Sequence, residues 1–148
     1  MATTRKNWLF KSEPSKWSWE MMVAAGEKGT FWDGVRNHLA KKNMLAMHAG
    51  DRGFFYHSND GKEIVGIVEV IRAAYPDPTA QVGEPWVVVD IKAIKPLPRP
   101  ITLAMVKADP RLQQMSLVTS ARLSVQPVTD GEWDIICGLA GYNRLGLN

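Results

Sequence analysis

The chain has 148 residues, of which 45% are hydrophobic and 22% charged, with a net charge of +3. That size suits one domain, residues 1–148, burying about two thirds of its unfolded surface. No run approaches the roughly 18 apolar residues of a membrane helix, and no export signal is visible, so no membrane partner and a cytoplasmic or nuclear location are expected.

Residues 7–11 form a short apolar run closed by Pro14, which predicts a first strand ending in a loop. Ser18 caps a predicted helix in which Trp19, Met22 and Val23 fall at i, i+3 and i+4, and Gly26 ends it. A second helix is predicted over 35–48, stopped by Gly50, with Val35, Leu39 and Ala46 on one face; Met44 and Leu45 fall off that stripe. Strands over 53–58 and 63–73 flank Asn59-Asp60-Gly61, where Asp-Gly signals a hairpin. Residues 86–94 alternate, with Val87, Val89 and Ile91 on one face and Asp90 and Lys92 on the other. One or two helical turns are predicted over 102–108, ahead of Pro110, and a last strand over 122–128. Thr129 and Glu132 make a capping box opening a final helix, on which Trp133, Ile136 and Cys137 share a face. Helices grouped in sequence, with strands joined by short turns, indicate an α+β fold. A curled, nearly closed sheet of five or six mostly antiparallel strands fits this order.

Enzyme signatures are missing. There is no Gly-x-Gly-x-x-Gly, no phosphate-binding Gly-Lys-Ser/Thr loop and no Gly-x-Ser-x-Gly. His38, His48 and His57 lack the i, i+4 spacing of a helical zinc pair, and one cysteine allows neither an internal disulfide nor a deaminase-type zinc site. No catalytic residue, metal or cofactor is therefore assigned. What is present is four segments that put aromatic, amide, hydroxyl and cationic groups at strand ends and helix starts. They are Lys11-Ser12-Glu13-Pro14, Trp32-Asp33-Gly34-Val35-Arg36-Asn37, Tyr56-His57-Ser58 and Leu123-Ser124-Val125-Gln126-Pro127. An indole offers a stacking face worth about 1–3 kcal/mol per base, and an amide offers both donor and acceptor to a base edge.

These segments, together with Trp8-Leu9-Phe10 ahead of Lys11, Phe54-Phe55 ahead of Tyr56, and Ala74-Tyr75-Pro76-Asp77, resemble the EVE domain, a branch of the PUA-like superfamily. The resemblance spans nearly the whole chain. It implies a PUA-like pseudo-barrel with flanking helices and one pocket. Relatives in the YTH branch hold a modified base there, and EVE domains are thought to favour modified cytosines in DNA. His38 departs from the family, where many members carry tyrosine, and Leu39 is less polar than usual.

The expected function is a non-catalytic module that captures a base in an aromatic-lined pocket, flipped from DNA or presented in a single strand, and acts as a monomer. Candidate base-binding residues are Ser12, Trp32, Asn37, Tyr56, His57, Ser58 and Gln126; candidate phosphate-binding residues are Lys11, Arg36 and Arg122. Each has a plainer reading. Trp32 can pin its loop to the core, in which case alanine there costs folding stability, whereas alanine in place of a stacking Trp32 costs binding and little stability. Asn37 can cap a helix, and His57 can be a satisfied structural group. Trp8, Trp19, Trp86 and Trp133 read as packing, and Trp17 fits either role. The alternatives are an enzyme acting on a nucleotide or small metabolite in the same pocket, an RNA-binding module, and a protein-interaction adaptor.

Overall fold

Two apolar faces on one set of strands organise the molecule, whose computed structural model describes residues 5–59 and 61–142. Strands β1 (Asn7–Ser12) and β3 (Arg52–His57) are apolar at successive positions because the sheet is covered on both sides. Alternation divides them: Leu9, Phe54 and Tyr56 enter one core with Ile67 and Trp133, while Trp8, Phe10 and Phe55 enter the other with Met22, Met44 and Trp32.

The remaining strands are β2 (Thr30–Phe31), β4 (Glu63–Pro76), β5 (Val87–Thr102) and β6 (Val125–Val128), and the sheet order is β2-β5-β4-β3-β1-β6. All neighbours are antiparallel except β1 and β3. That parallel pair requires a crossover, supplied by α1 (Trp19–Ala24), β2 and α2 (His38–Leu45). The α+β class stands, but the sheet is not closed into a barrel, since β2 and β6 end it on opposite sides. The β4–β5 register shifts repeatedly, and such bulges bend and twist a ribbon. Helices α3 (Leu103–Ala108), α4 (Ser116–Thr119) and α5 (Asp130–Ala140) complete the set. No helix among the described residues is long and apolar enough to cross a membrane.

Several boundaries differ from expectation for physical reasons. Helix α2 begins at His38 rather than residue 35, because the Asn37 side chain accepts the Ala40 N–H at 2.9 Å and takes the N-cap. Its buried stripe is then Ala40 and Met44, while Leu39 lies exposed. Strand β5 continues past residue 94 through Pro96, Pro98 and Pro100; β2 pairs with β5 only at Asp90 and Ile91, so these prolines lie on an edge where no N–H is needed. The last strand starts at Val125 rather than 122, and β2 and α4 have no sequence signal of usual length. In the hairpin turn, Asp60 lies outside the described residues. The two caps read from sequence hold: Ser18 accepts the Met21 N–H at 3.2 Å, and Thr129 accepts the Glu132 N–H at 3.1 Å.

His57 links β3 to α1. Its Nε2 accepts the Trp19 N–H at 3.0 Å, which requires a neutral ring. Burial pushes its pKa below the ordinary 6.5, against an opposing pull from Glu63 and Glu20. A depressed folded pKa means the unfolded chain binds the proton more tightly. This contribution is therefore fully present above about pH 6.5 and is lost as pH falls toward the lowered value. Urea midpoints should fall between pH 7.5 and pH 5, and His57→Gln should flatten that dependence; an unchanged profile in the variant would assign the effect elsewhere.

Candidate functional site

A cleft of about 530 Å3 opens where β1 ends. One wall is Lys11, Ser12, Glu13, Lys16 and Trp17; the opposite wall is the continuous segment from Thr30 to Arg36, and Ser124 closes a side. The first wall is a tight turn: the Lys16 and Trp17 N–H groups both donate to the Glu13 carbonyl at 2.9 Å, and the Ser12 hydroxyl donates to the Trp17 carbonyl at 2.5 Å. Trp17 is half-buried, and its indole N–H is buried with no partner among the described residues.

The second wall hangs from the sheet and from Asp77. The Trp32 N–H donates to the Val89 carbonyl at 2.8 Å, extending β2 by one bond. Gly34 turns the chain at φ +74, and its N–H donates to Asp77 Oδ2 at 3.2 Å. Arg36 donates to the same oxygen at 3.0 Å. Thr79 donates to the other oxygen through both its N–H and its hydroxyl, at 2.7 and 2.6 Å. Burial alone would raise the Asp77 pKa, but these bonds from Thr79, Arg36 and Gly34 outweigh it and hold the carboxyl below its usual value. The arginine is thereby fixed at the cleft edge. It also lies 5.7 Å from the Trp86 ring, which packs tilted on His38 at 5.0 Å. Trp86 is thus a half-buried surface platform rather than a core ring.

Of the ten residues singled out from sequence, the cleft gathers Lys11, Ser12, Trp32 and Arg36. Trp32 serves both of its readings: it lines the cleft, yet is only 9% exposed and makes edge contacts with Phe10 at 5.6 Å and Phe55 at 5.8 Å. The other six lie elsewhere. Asn37 caps α2 and, with Arg122, lines a separate shallow groove beside Leu39 and Leu123. His57 is committed to α1. Gln126 is fully buried, and its amide donates to the Ser116, Ser120 and Leu123 carbonyls, pinning α4 to β6. Tyr56 and Ser58 line a smaller concavity on the far side of Lys11. Sequence reasoning gave no role to Glu13 or Asp77. Trp17 stood undecided because a tryptophan in a turn has no periodicity to place it.

A family model described as the EVE domain matches residues 6–139. The chain is similar to thymocyte nuclear protein 1 of Homo sapiens, at 34% identity with 90% of this chain and 73% of that protein aligned. Among solved structures it is similar to a protein from Agrobacterium tumefaciens, with TM-score 0.91, 55% identity, and coverage of 93% of this chain and 94% of the other. It is also similar to human THYN1 protein in complex with 5-methylcytosine-containing DNA, with TM-score 0.85, 33% identity, and coverage of 93% and 99%.

Proposed function

Because the chain belongs to the EVE-domain family, we propose that it is a non-catalytic reader of nucleic acid that captures a modified base, a modified cytosine of DNA, in the cleft between Trp17 and Trp32. The observation that carries this reading is the cleft itself, a cavity of about 530 Å3 with three aromatic side chains, Trp17, Phe31 and Trp32, in its walls. The human relative solved with 5-methylcytosine-containing DNA supports cytosine as the base.

The cleft chemistry suits that base. The Glu13 and Asp33 carboxylates that line the cleft are acceptors for the exocyclic amine of cytosine. Thymine presents the opposite pattern at that edge. A base lifted out of a duplex costs a few kcal/mol of unstacking, which stacking on the indoles offsets. Lys11 and Arg36 stand at the rim for flanking phosphates. Every lining residue of the cleft comes from one chain, so a monomer suffices for capture.

Binding of short DNA strands and duplexes carrying cytosine, 5-methylcytosine or 5-hydroxymethylcytosine at one position tests the reading. The modified strands should bind more tightly than the unmodified one. Trp17→Ala should cost about 1–3 kcal/mol, roughly fivefold to more than a hundredfold in affinity. Equal affinity for all three bases, or sustained chemical conversion of any of them, would overturn it.

A further inference from the structure

Lys11 has a second side. Beyond it lies a concavity of about 190 Å3 walled by Lys11, Tyr56, Ser58, Asn59 and Lys62 over an apolar floor. Its polar groups are two ammoniums, two hydroxyls and one amide, and no acidic side chain among the described residues lines it. The Lys11 ammonium is held in place by the Ala121 carbonyl at 2.6 Å. The Tyr56 and Ser58 hydroxyls, the Asn59 amide and the Lys62 ammonium have no hydrogen-bond partner among the described residues. Tyr56 is 3% exposed, and its side chain lines the concavity.

We propose that this concavity is a phosphate subsite, and that its occupant is a phosphodiester of the strand whose base enters the neighbouring cleft. Convergent donors without an acceptor are what an anionic oxygen cluster requires. At about 30 Å3 per water the space holds roughly six waters, which suits a partly hydrated phosphate group. Burial lowers the Lys11 pKa, a penalty that a neighbouring anion reverses. Lys11 lines both cavities, so a strand gripped here is already beside the cleft that takes its base. The choice of a strand as occupant rests on the base-capture reading; the anion chemistry of the site does not.

Two titrations test the subsite. With pyrophosphate as probe, chemical shifts of Tyr56, Ser58 and Lys62 should move while those of Trp17 and Trp32 stay, and Lys62→Gln should abolish the response. Tyr56→Phe, which removes only the hydroxyl, should weaken it. No shift at these residues overturns the subsite. With the oligonucleotides, Lys62→Gln should weaken modified and unmodified strands alike by about three- to tenfold at low salt. It should also reduce the slope of log affinity against log salt by about one. A pyrophosphate response with an unchanged slope overturns the strand as occupant and leaves a site for free phosphate. A slope reduced by about one in Lys62→Gln, in a protein with no preference for modified cytosine, would sink base capture and leave the subsite standing.

Discussion

Gly29→Ala should remove the cleft while leaving most of the sheet. Gly29 sits at φ 66, ψ −155, a region essentially closed to residues with a Cβ. An alanine Cβ there would lie 2.1 Å from the Ile91 carbonyl oxygen and 2.8 Å from its carbon, both backbone atoms of the adjacent strand. Strain and overpacking together should cost about 2–5 kcal/mol. The chain has an escape, because β2 is held to β5 by a short ladder: Thr30 with Ile91, Phe31 with Asp90, and the Trp32 N–H on the Val89 carbonyl. Lifting β2 off relieves the clash and carries Phe31 and Trp32 away with it. Hydrogen exchange should show the Trp32 amide, bonded to the Val89 carbonyl in the parent, losing protection while β3 and β4 keep theirs. Affinity for the best oligonucleotide should fall with it. A variant with parental amide protection and parental affinity would show that the close approach at Gly29 does not position the cleft.

Trp133→Ala should have the largest effect on stability. Trp133 lies on α5, is 8% exposed, and stacks on Phe54 with centroids 4.0 Å apart and planes 15° apart. Cutting a buried tryptophan to alanine costs about 3–5 kcal/mol, a large share of the roughly 5–15 kcal/mol that holds a domain together. Cys137 provides the readout. It is fully buried one turn further along the helix, and burial pushes its thiol up to about 12. Alkylation in the native state therefore awaits unfolding. In the variant, labelling of Cys137 should accelerate by about a hundredfold or more, with a matching drop in the urea midpoint. Parental labelling and midpoint would mean that α5 does not close this face of the sheet.

Local rules made much of the fold legible. The N-cap at Ser18, the capping box at Thr129, the β3–β4 hairpin and the face of α5 are each set by residues within a few positions of one another. The proline-bearing half of β5 was not legible, because whether a proline is tolerated depends on having no neighbour on that side. The cleft was legible as segments and not as a site. Lys11-Ser12 and Trp32 through Arg36 stood out by composition. What joins the second wall to the sheet is a carboxylate 43 residues from Gly34, and a buried aspartate reads like any loop aspartate. Gln126 misled for the same reason: a strand glutamine next to a proline looks presented, yet here it is sunk among three backbone carbonyls.

The position of β1 has a kinetic consequence. That strand lies between β3 and β6, so its two hydrogen-bonding edges are completed by segments 40 or more residues later and more than 110 residues later. During synthesis at about 5–20 residues per second, Phe10 and Trp8 wait several seconds between completion of β3 and emergence of the strand that seals their outer side. The meander of β3, β4 and β5 can assemble in that interval, whereas the turn at Glu13–Trp17 has no settled strand to spring from until the end. Folding should therefore be slow for so short a chain, as expected when distant pairings dominate. The ligand cleft should be among the last features to appear during refolding.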